Sequence, residues 1–173
     1  LMKHLLAKTE DREEKAYLLN YFLEQFRTTL YRQAMFAEFE MMMNAKAEAG
    51  ESLTADLLSD MYYKLNKEYY GEEMAVDQDI AIEWARIPHL FYNFYVFQYA
   101  TGFSAAVALA NKILTEGESA VKNYRRFLTL GGSQDPISLL KIAGVDMTTA
   151  QPVTEALHLF GELLDEMEQL MIK

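Results

Sequence analysis

The sequence predicts an all-α fold, a multi-helix bundle of about six to eight helices. Three observations carry this. Strand-like alternation of apolar and polar residues is missing almost everywhere. Only three prolines and eight glycines punctuate 173 residues, and they fall at loop positions. Between them, apolar side chains recur three and four residues apart, as one face of a helix requires.

The chain opens on Leu-Met-Lys-His-Leu-Leu-Ala, which reads as the tail of a helix already under way. It lacks the basic start and small-residue cleavage site of a signal peptide. A segment cut from a longer protein is therefore expected. Thr9, Asp11 and Glu13 supply an acidic helix start, and no Gly or Pro interrupts Glu10 to Ala49. Tyr17, Leu18, Tyr21, Phe22, Phe26, Thr29 and Leu30 form its stripe. At 1.5 Å per residue such a helix would run to about 60 Å, so a bend or break is expected within it. Gly50 ends it. Ser52 or Thr54 can cap a second helix to Tyr70, stopped by Gly71, with Leu57, Leu58, Met61, Tyr62 and Leu65 facing inward. Asp77 or Asp79 opens a short helix through Trp84, which Pro88 cuts off.

From Ile87 to Asn111 there is no Asp, Glu, Lys or Arg. The length would span a bilayer, but His89, Asn93, Gln98, Thr101, Ser104 and three tyrosines make that costly. The stretch is predicted to be a helix from about His89 to Thr115, buried on nearly all sides. Glu118 to Thr129 forms the next helix, closed by Gly131-Gly132. Pro136 starts a short helix ending near Gly144. Pro152 starts the last, with Val153, Leu157, Phe160, Leu164 and Met167 as its stripe.

Composition narrows the function. Hydrophobic residues at 51% and aromatics at 13% exclude a disordered chain. Lys plus Arg number 16 against 26 Asp plus Glu, a net charge of −10 that repels nucleic acid. Cysteine is absent, which excludes disulfides, thiolate metal sites and a cysteine nucleophile from this chain. No membrane partner is expected.

Few motifs carry chemistry. None of His4, His89 and His158 lies in a His-Glu-x-x-His pattern. Gly131-Gly132-Ser133 lacks the Lys and spacing of a phosphate loop and reads as a turn. Glu155 and His158 make a single Glu-x-x-His pair; with Glu162 they read as a solvated acidic face rather than half of a di-metal site. Arg27, Arg32, Glu38 and Glu40 interleave with Phe26, Phe36 and Phe39. Surface ion pairs are the expectation for most of them, buried pairs shaping a cleft wall the alternative.

The strongest constellation lies on the uncharged stretch. At about 100° per residue, Tyr92, Tyr95 and Tyr99 share an arc of about 60°, with His89 about 60° from its edge and Gly102 leaving that flank open. Phenols beside an imidazole form a set of hydrogen-bond donors aimed one way, suited to a developing oxyanion. The same spacing also describes an ordinary aromatic core stripe, so both readings stand at this point.

Three stretches together resemble one family. Arg86-Ile-Pro-His-Leu-Phe-Tyr-Asn-Phe-Tyr-Val-Phe-Gln-Tyr-Ala-Thr-Gly-Phe, Glu24-Gln-Phe-Arg-Thr-Thr-Leu-Tyr-Arg-Gln-Ala-Met-Phe-Ala-Glu-Phe-Glu40 and Gly131-Gly-Ser-Gln-Asp-Pro-Ile-Ser-Leu-Leu-Lys-Ile-Ala-Gly-Val-Asp-Met147 are similar to oligoendopeptidase F. Those enzymes are bacterial zinc metallopeptidases of the thimet oligopeptidase superfamily. The resemblance covers essentially the whole chain. It implies that residues 1–173 are a single all-α fragment, the C-terminal portion of a helical metallopeptidase domain. It implies zinc as the cofactor of the parent enzyme and none in this fragment, because the family's His-Glu-x-x-His and third zinc ligand lie upstream. It implies His89, Tyr95 and Tyr99 as catalytic groups that steady the tetrahedral intermediate. With Tyr92, they would also bind the substrate backbone. Where the wider superfamily has a further Tyr, Gly102-Phe103 stands here. Short peptides are the implied substrates and the cytoplasm the implied compartment. The fragment alone is expected to be inactive and to self-associate through uncovered apolar surface. The competing expectation is a self-contained helical interaction module whose tyrosine stripe is core.

Overall fold

A computed structural model describes residues 2–172. Among them are eight α-helices and no strand. They are α1 (Met2–Leu6), α2 (Arg12–Gln25), α3 (Arg32–Glu48), α4 (Ala55–Tyr70), α5 (Phe97–Glu116), α6 (Glu118–Leu130), α7 (Pro136–Ile142) and α8 (Gln151–Ile172). The all-α expectation holds. So do the helix starts expected at Asp11 and Thr54: Asp11 accepts from the Glu14 N–H and Thr54 from the Leu57 N–H. Asp135, just ahead of Pro136, also caps its helix by accepting from the Ser138 N–H. Each such cap contributes about 1 kcal/mol. Gly50 at φ 79° and Gly71 at φ 77° end α3 and α4 in the left-handed region, where an added Cβ is disfavoured. The long run after Glu10 does not break. A π-helical turn, Phe26–Tyr31, joins α2 to α3 and absorbs the extra residue that a straight helix would not accommodate.

The chain divides into two compact units. One is Thr28–Ala100. Its core takes Met35, Phe36 and Phe39 from α3, and Leu58, Met61, Tyr62 and Leu65 from α4. Ile87, Leu90 and Val96 come from the segment after α4. Each such side chain contributes about 1.5–3 kcal/mol on burial. Tyr62 meets the Phe39 ring edge-on at 5.1 Å. Its hydroxyl donates to Glu83 Oε2 at 2.7 Å, and Arg32 donates to Glu83 Oε1 at 2.6 Å. Arg86 donates to Glu83 as well. Burial works against ionising Glu83, but the three donors outweigh it and hold the carboxyl below its usual value. Burial and the Glu83 partner both push the Tyr62 phenol up, so it keeps the proton it donates. The expectation of surface pairs fits Arg27, which meets Glu24 at 2.7 Å in the open. It fails for Arg32 and Glu40, and Glu38 accepts a 2.7 Å bond from the half-buried Tyr69.

The other unit comprises the residues up to Arg27 and those from Thr101 on. The π turn's first residue, Phe26, is wholly buried there among Phe22, Phe103 and Phe160, with ring centroids 4.9–5.4 Å away. α2 lies along α8, where Lys15 pairs with Glu166 at 2.7 Å and Arg12 donates to the Leu170 carbonyl. A second small core joins Ala105, Ala108 and Val145. Among the described residues, no helix is long and apolar enough to cross a membrane.

One element differs from expectation. No helix starts at His89. Two 3₁₀ segments, Gln78–Arg86 and Pro88–Phe91, are followed by a non-helical stretch, and α5 begins only at Phe97. Pro88 holds Ile87 extended at φ −91° and ψ 100°. Further on, Asn93 and Phe94 both adopt positive φ, 53° and 59°, which no right-handed helix admits. Nor is the stretch buried on nearly all sides: Phe91, Tyr92, Phe94 and Phe97 are exposed.

Candidate functional site

The segment 87–99 alternates anchors and presented side chains. Ile87, Leu90 and Val96 are buried in the core of the first unit. His89, Tyr92 and Tyr95 lie between them at three-residue spacing, and Tyr99 stands on the first turn of α5. A 3₁₀ turn repeats every three residues, so the two anchors Ile87 and Leu90 fix where His89 points. The left-handed pair Asn93-Phe94 then redirects the chain so that Tyr95 comes back over His89. Asn tolerates that conformation; a bulky Phe there stores strain of about 1–3 kcal/mol. Opposing this, the Phe94 N–H donates to Oε1 of Glu40 at 2.7 Å. Glu40 sits on the core face of α3 and is 1% exposed.

The four predicted residues come together. The His89 ring lies parallel to Tyr95, 8° between planes and 5.9 Å between centroids. Tyr99 meets His89 edge-on at 5.5 Å, and Tyr92 does so at 6.1 Å. The Tyr99 hydroxyl lies 3.3 Å from His89 Nε2 and 3.4 Å from the Tyr95 hydroxyl. Tyr99 has one proton to give. When it points at Tyr95, the His89 contact is a hydrogen bond only if Nε2 carries a proton. The chain then runs His89 to Tyr99 to Tyr95, and the Tyr95 proton remains for a further acceptor. The bond to Tyr95 raises the Tyr99 phenol above its usual value, with burial adding to it, so Tyr99 stays a donor near neutrality.

These phenols are not sealed. Tyr92, Tyr95 and Tyr99 keep 58%, 38% and 37% of their surface open. A core stripe would bury them; the buried positions are Ile87, Leu90 and Val96 instead. The grouping was therefore readable while the geometry behind it was not. It arises from a 3₁₀ turn and a left-handed pair, not from one face of an α-helix.

The model of peptidase family M3 matches residues 1–159. This chain belongs to peptidase family M3. Over its whole length it is 53% identical to the oligopeptidase PepF of Bacillus subtilis and covers 26% of that protein. It is 42% identical, again over its whole length, to the chromosomal oligoendopeptidase F of Lactococcus lactis subsp. cremoris and covers 29% of it. The crystal structure of oligoendopeptidase-F from Enterococcus faecium is similar over 98% of this chain and 33% of that one, with a TM-score of 0.95 at 47% identity. The M3 chain thus spans between a quarter and a third of the proteins it matches. Its likeness to oligoendopeptidase F, expected from three motifs, extends along the whole sequence.

Zinc, which the M3 resemblance implies, would need three or more converging donors. Among the described residues, no three His, Asp or Glu side chains converge. His158 Nε2 meets one carboxylate, Glu162, at 3.5 Å on the surface, and Glu155 is engaged by Gln151. These side chains do not fit a zinc ion. Sequence reasoning named Glu40 only among the interleaved charges and did not connect it to the site, where it accepts from the Phe94 N–H; it did not single out Glu83, which gathers Arg32, Tyr62 and Arg86 in the same unit. The sequence signal for Glu40 was a carboxyl on the core face of a helix, one turn after Phe36 and next to Phe39.

Proposed function

We propose that this chain supplies the substrate-binding and oxyanion-stabilising wall of a metallo-oligopeptidase. The observation that carries the reading is the open, connected set of donors His89, Tyr99 and Tyr95. A peptide carbonyl laid against it accepts the Tyr95 proton, and Tyr92 offers a second phenol to the substrate backbone. When a nucleophile adds to that carbonyl, negative charge grows on its oxygen and the donor bond strengthens. A donor so placed contributes about 2.7–4 kcal/mol to the transition state, more than to the bound substrate. Held by a 3₁₀ turn at His89, by the anchored segment ending in Val96 at Tyr95 and by the first turn of α5 at Tyr99, these donors need little reorganisation during the reaction.

In this reading residues 1–173 form one fragment of the parent catalytic domain. The metal is held by residues outside it, and the parent acts on short peptides in the cytoplasm. By itself the chain cleaves no peptide and takes up no zinc tightly. A stoichiometric zinc removable only with a chelator would contradict this. The decisive variants belong in a full-length oligoendopeptidase F carrying this segment. Tyr95→Phe and His89→Ala should each lower kcat more than they raise KM. An unchanged kcat in both would reject the oxyanion role.

A further inference from the structure

We propose that Glu40 is a positioning residue for the His89–Tyr99–Tyr95 cluster, acting through the backbone of Phe94. The inference rests on the donor-wall reading for its effect on catalysis, but not for its geometry.

The left-handed pair Asn93-Phe94 is the hinge between Tyr92 and Tyr95. Nothing in the residue types alone favours that conformation at Phe94. Its N–H is fixed by one side chain 54 residues away, across a 2.7 Å bond to Glu40 Oε1. Glu40 is itself immobilised: it is 1% exposed, beside the buried Phe39, and its own carbonyl accepts from Asn44 Nδ2 at 2.7 Å. A rigid acceptor thus meets the one backbone donor whose placement decides where the next side chain goes. Release it, and the pair can relax toward ordinary φ. Such relaxation turns the Tyr95 ring out of its parallel arrangement with His89 and breaks the chain from Tyr99. The side chain that sets the geometry acts through the Phe94 backbone amide.

The test uses two substitutions. Glu40→Met keeps the volume and removes the acceptor; Glu40→Gln keeps an acceptor oxygen. In this chain, hydrogen exchange at the Phe94 amide and ring-to-ring nuclear Overhauser contacts between His89, Tyr95 and Tyr99 report the geometry. Glu40→Met should speed Phe94 exchange about tenfold or more and abolish the His89–Tyr95 contact; Glu40→Gln should preserve both. In a full-length oligoendopeptidase F carrying this segment, and at matched folded concentration, Glu40→Met should lower kcat by about ten- to a hundredfold with little change in KM. Glu40→Gln should restore it. Wild-type exchange and ring contacts in Glu40→Met would overturn the proposal, as would a Glu40→Gln variant that behaves like Glu40→Met. Should Glu40→Met not fold, the wild-type chain decides: Phe94 exchange at the rate of an unstructured amide overturns the proposal. If the rings rearrange as described while kcat stays put, Glu40 does position them and the donor-wall reading is what fails.

Discussion

The imidazole of His89 and the phenol of Tyr95 lie face to face, 8° from parallel. Tyr99 stands perpendicular to both, its hydroxyl within reach of each polar atom. A linked set of this kind behaves as a unit. Its members are not independent contributors.

That linkage is measurable as a double-mutant cycle. In a full-length oligoendopeptidase F carrying this segment, Tyr95→Phe and Tyr99→Phe are each expected to lower kcat by about tenfold to a thousandfold. The double variant should be no worse than the weaker single by more than about threefold, because removing either hydroxyl already breaks the chain. Multiplying effects would show that the two phenols act separately.

The Glu83 cluster predicts stability. Glu83→Ala leaves Arg32 and the Tyr62 hydroxyl facing a buried gap and should cost about 3–5 kcal/mol. Tyr62→Phe removes one donor and should cost about 1–3 kcal/mol. Urea unfolding measures both. A loss below about 0.5 kcal/mol in Glu83→Ala would remove the network from the account.

The same carboxyl sets a direction with pH. In the folded chain Glu83 titrates below its usual value of 4.5. A carboxyl depressed on folding contributes stability that is fully present above the unfolded value. That contribution is lost as the pH falls through the folded value. Thermal stability should therefore be steady through neutrality and fall below about pH 4.5, and the fall should be smaller in Glu83→Gln. An equal acid loss in both proteins would contradict the assignment.

Self-association of the 173-residue chain is the expected consequence of its uncovered apolar side chains, Phe91 at 76% and Ile172 at 85% exposure among them. Light scattering across a dilution series should show a mass above that of one chain, falling on dilution. A monomer at every concentration would argue against it.

Local signals in the sequence read well because they act locally. Asp11 and Thr54 stand at the helix starts expected there, Pro136 opens α7 as expected, and Gly50, Gly71, Gly117 and Gly131 mark helix ends. Asp77 likewise accepts from the Asp79 N–H and opens the 3₁₀ segment before Pro88. The stretch 89–96 misled because no Gly or Pro follows Pro88 until Gly102, so nothing nearby signals that helix cannot form. The two determinants lie elsewhere. Glu40 supplies a hydrogen bond across 54 positions, and Val96 has a place in a core built mainly by α3 and α4. Neither leaves a mark in an eight-residue window. The histidine and tyrosines were nonetheless picked out together, because helical spacing groups the same four residues that the 3₁₀ turn, the left-handed pair and the first turn of α5 bring together.

The most direct measurement of the central claim compares two ligands on a full-length oligoendopeptidase F carrying this segment. One is an uncleaved peptide; the other is the same peptide with a tetrahedral, anionic replacement at the scissile bond. Tyr95→Phe should weaken the tetrahedral ligand by about a hundredfold while leaving the plain peptide within about threefold. Equal weakening of both, or of neither, would contradict the claim that these donors are aimed at the transition state.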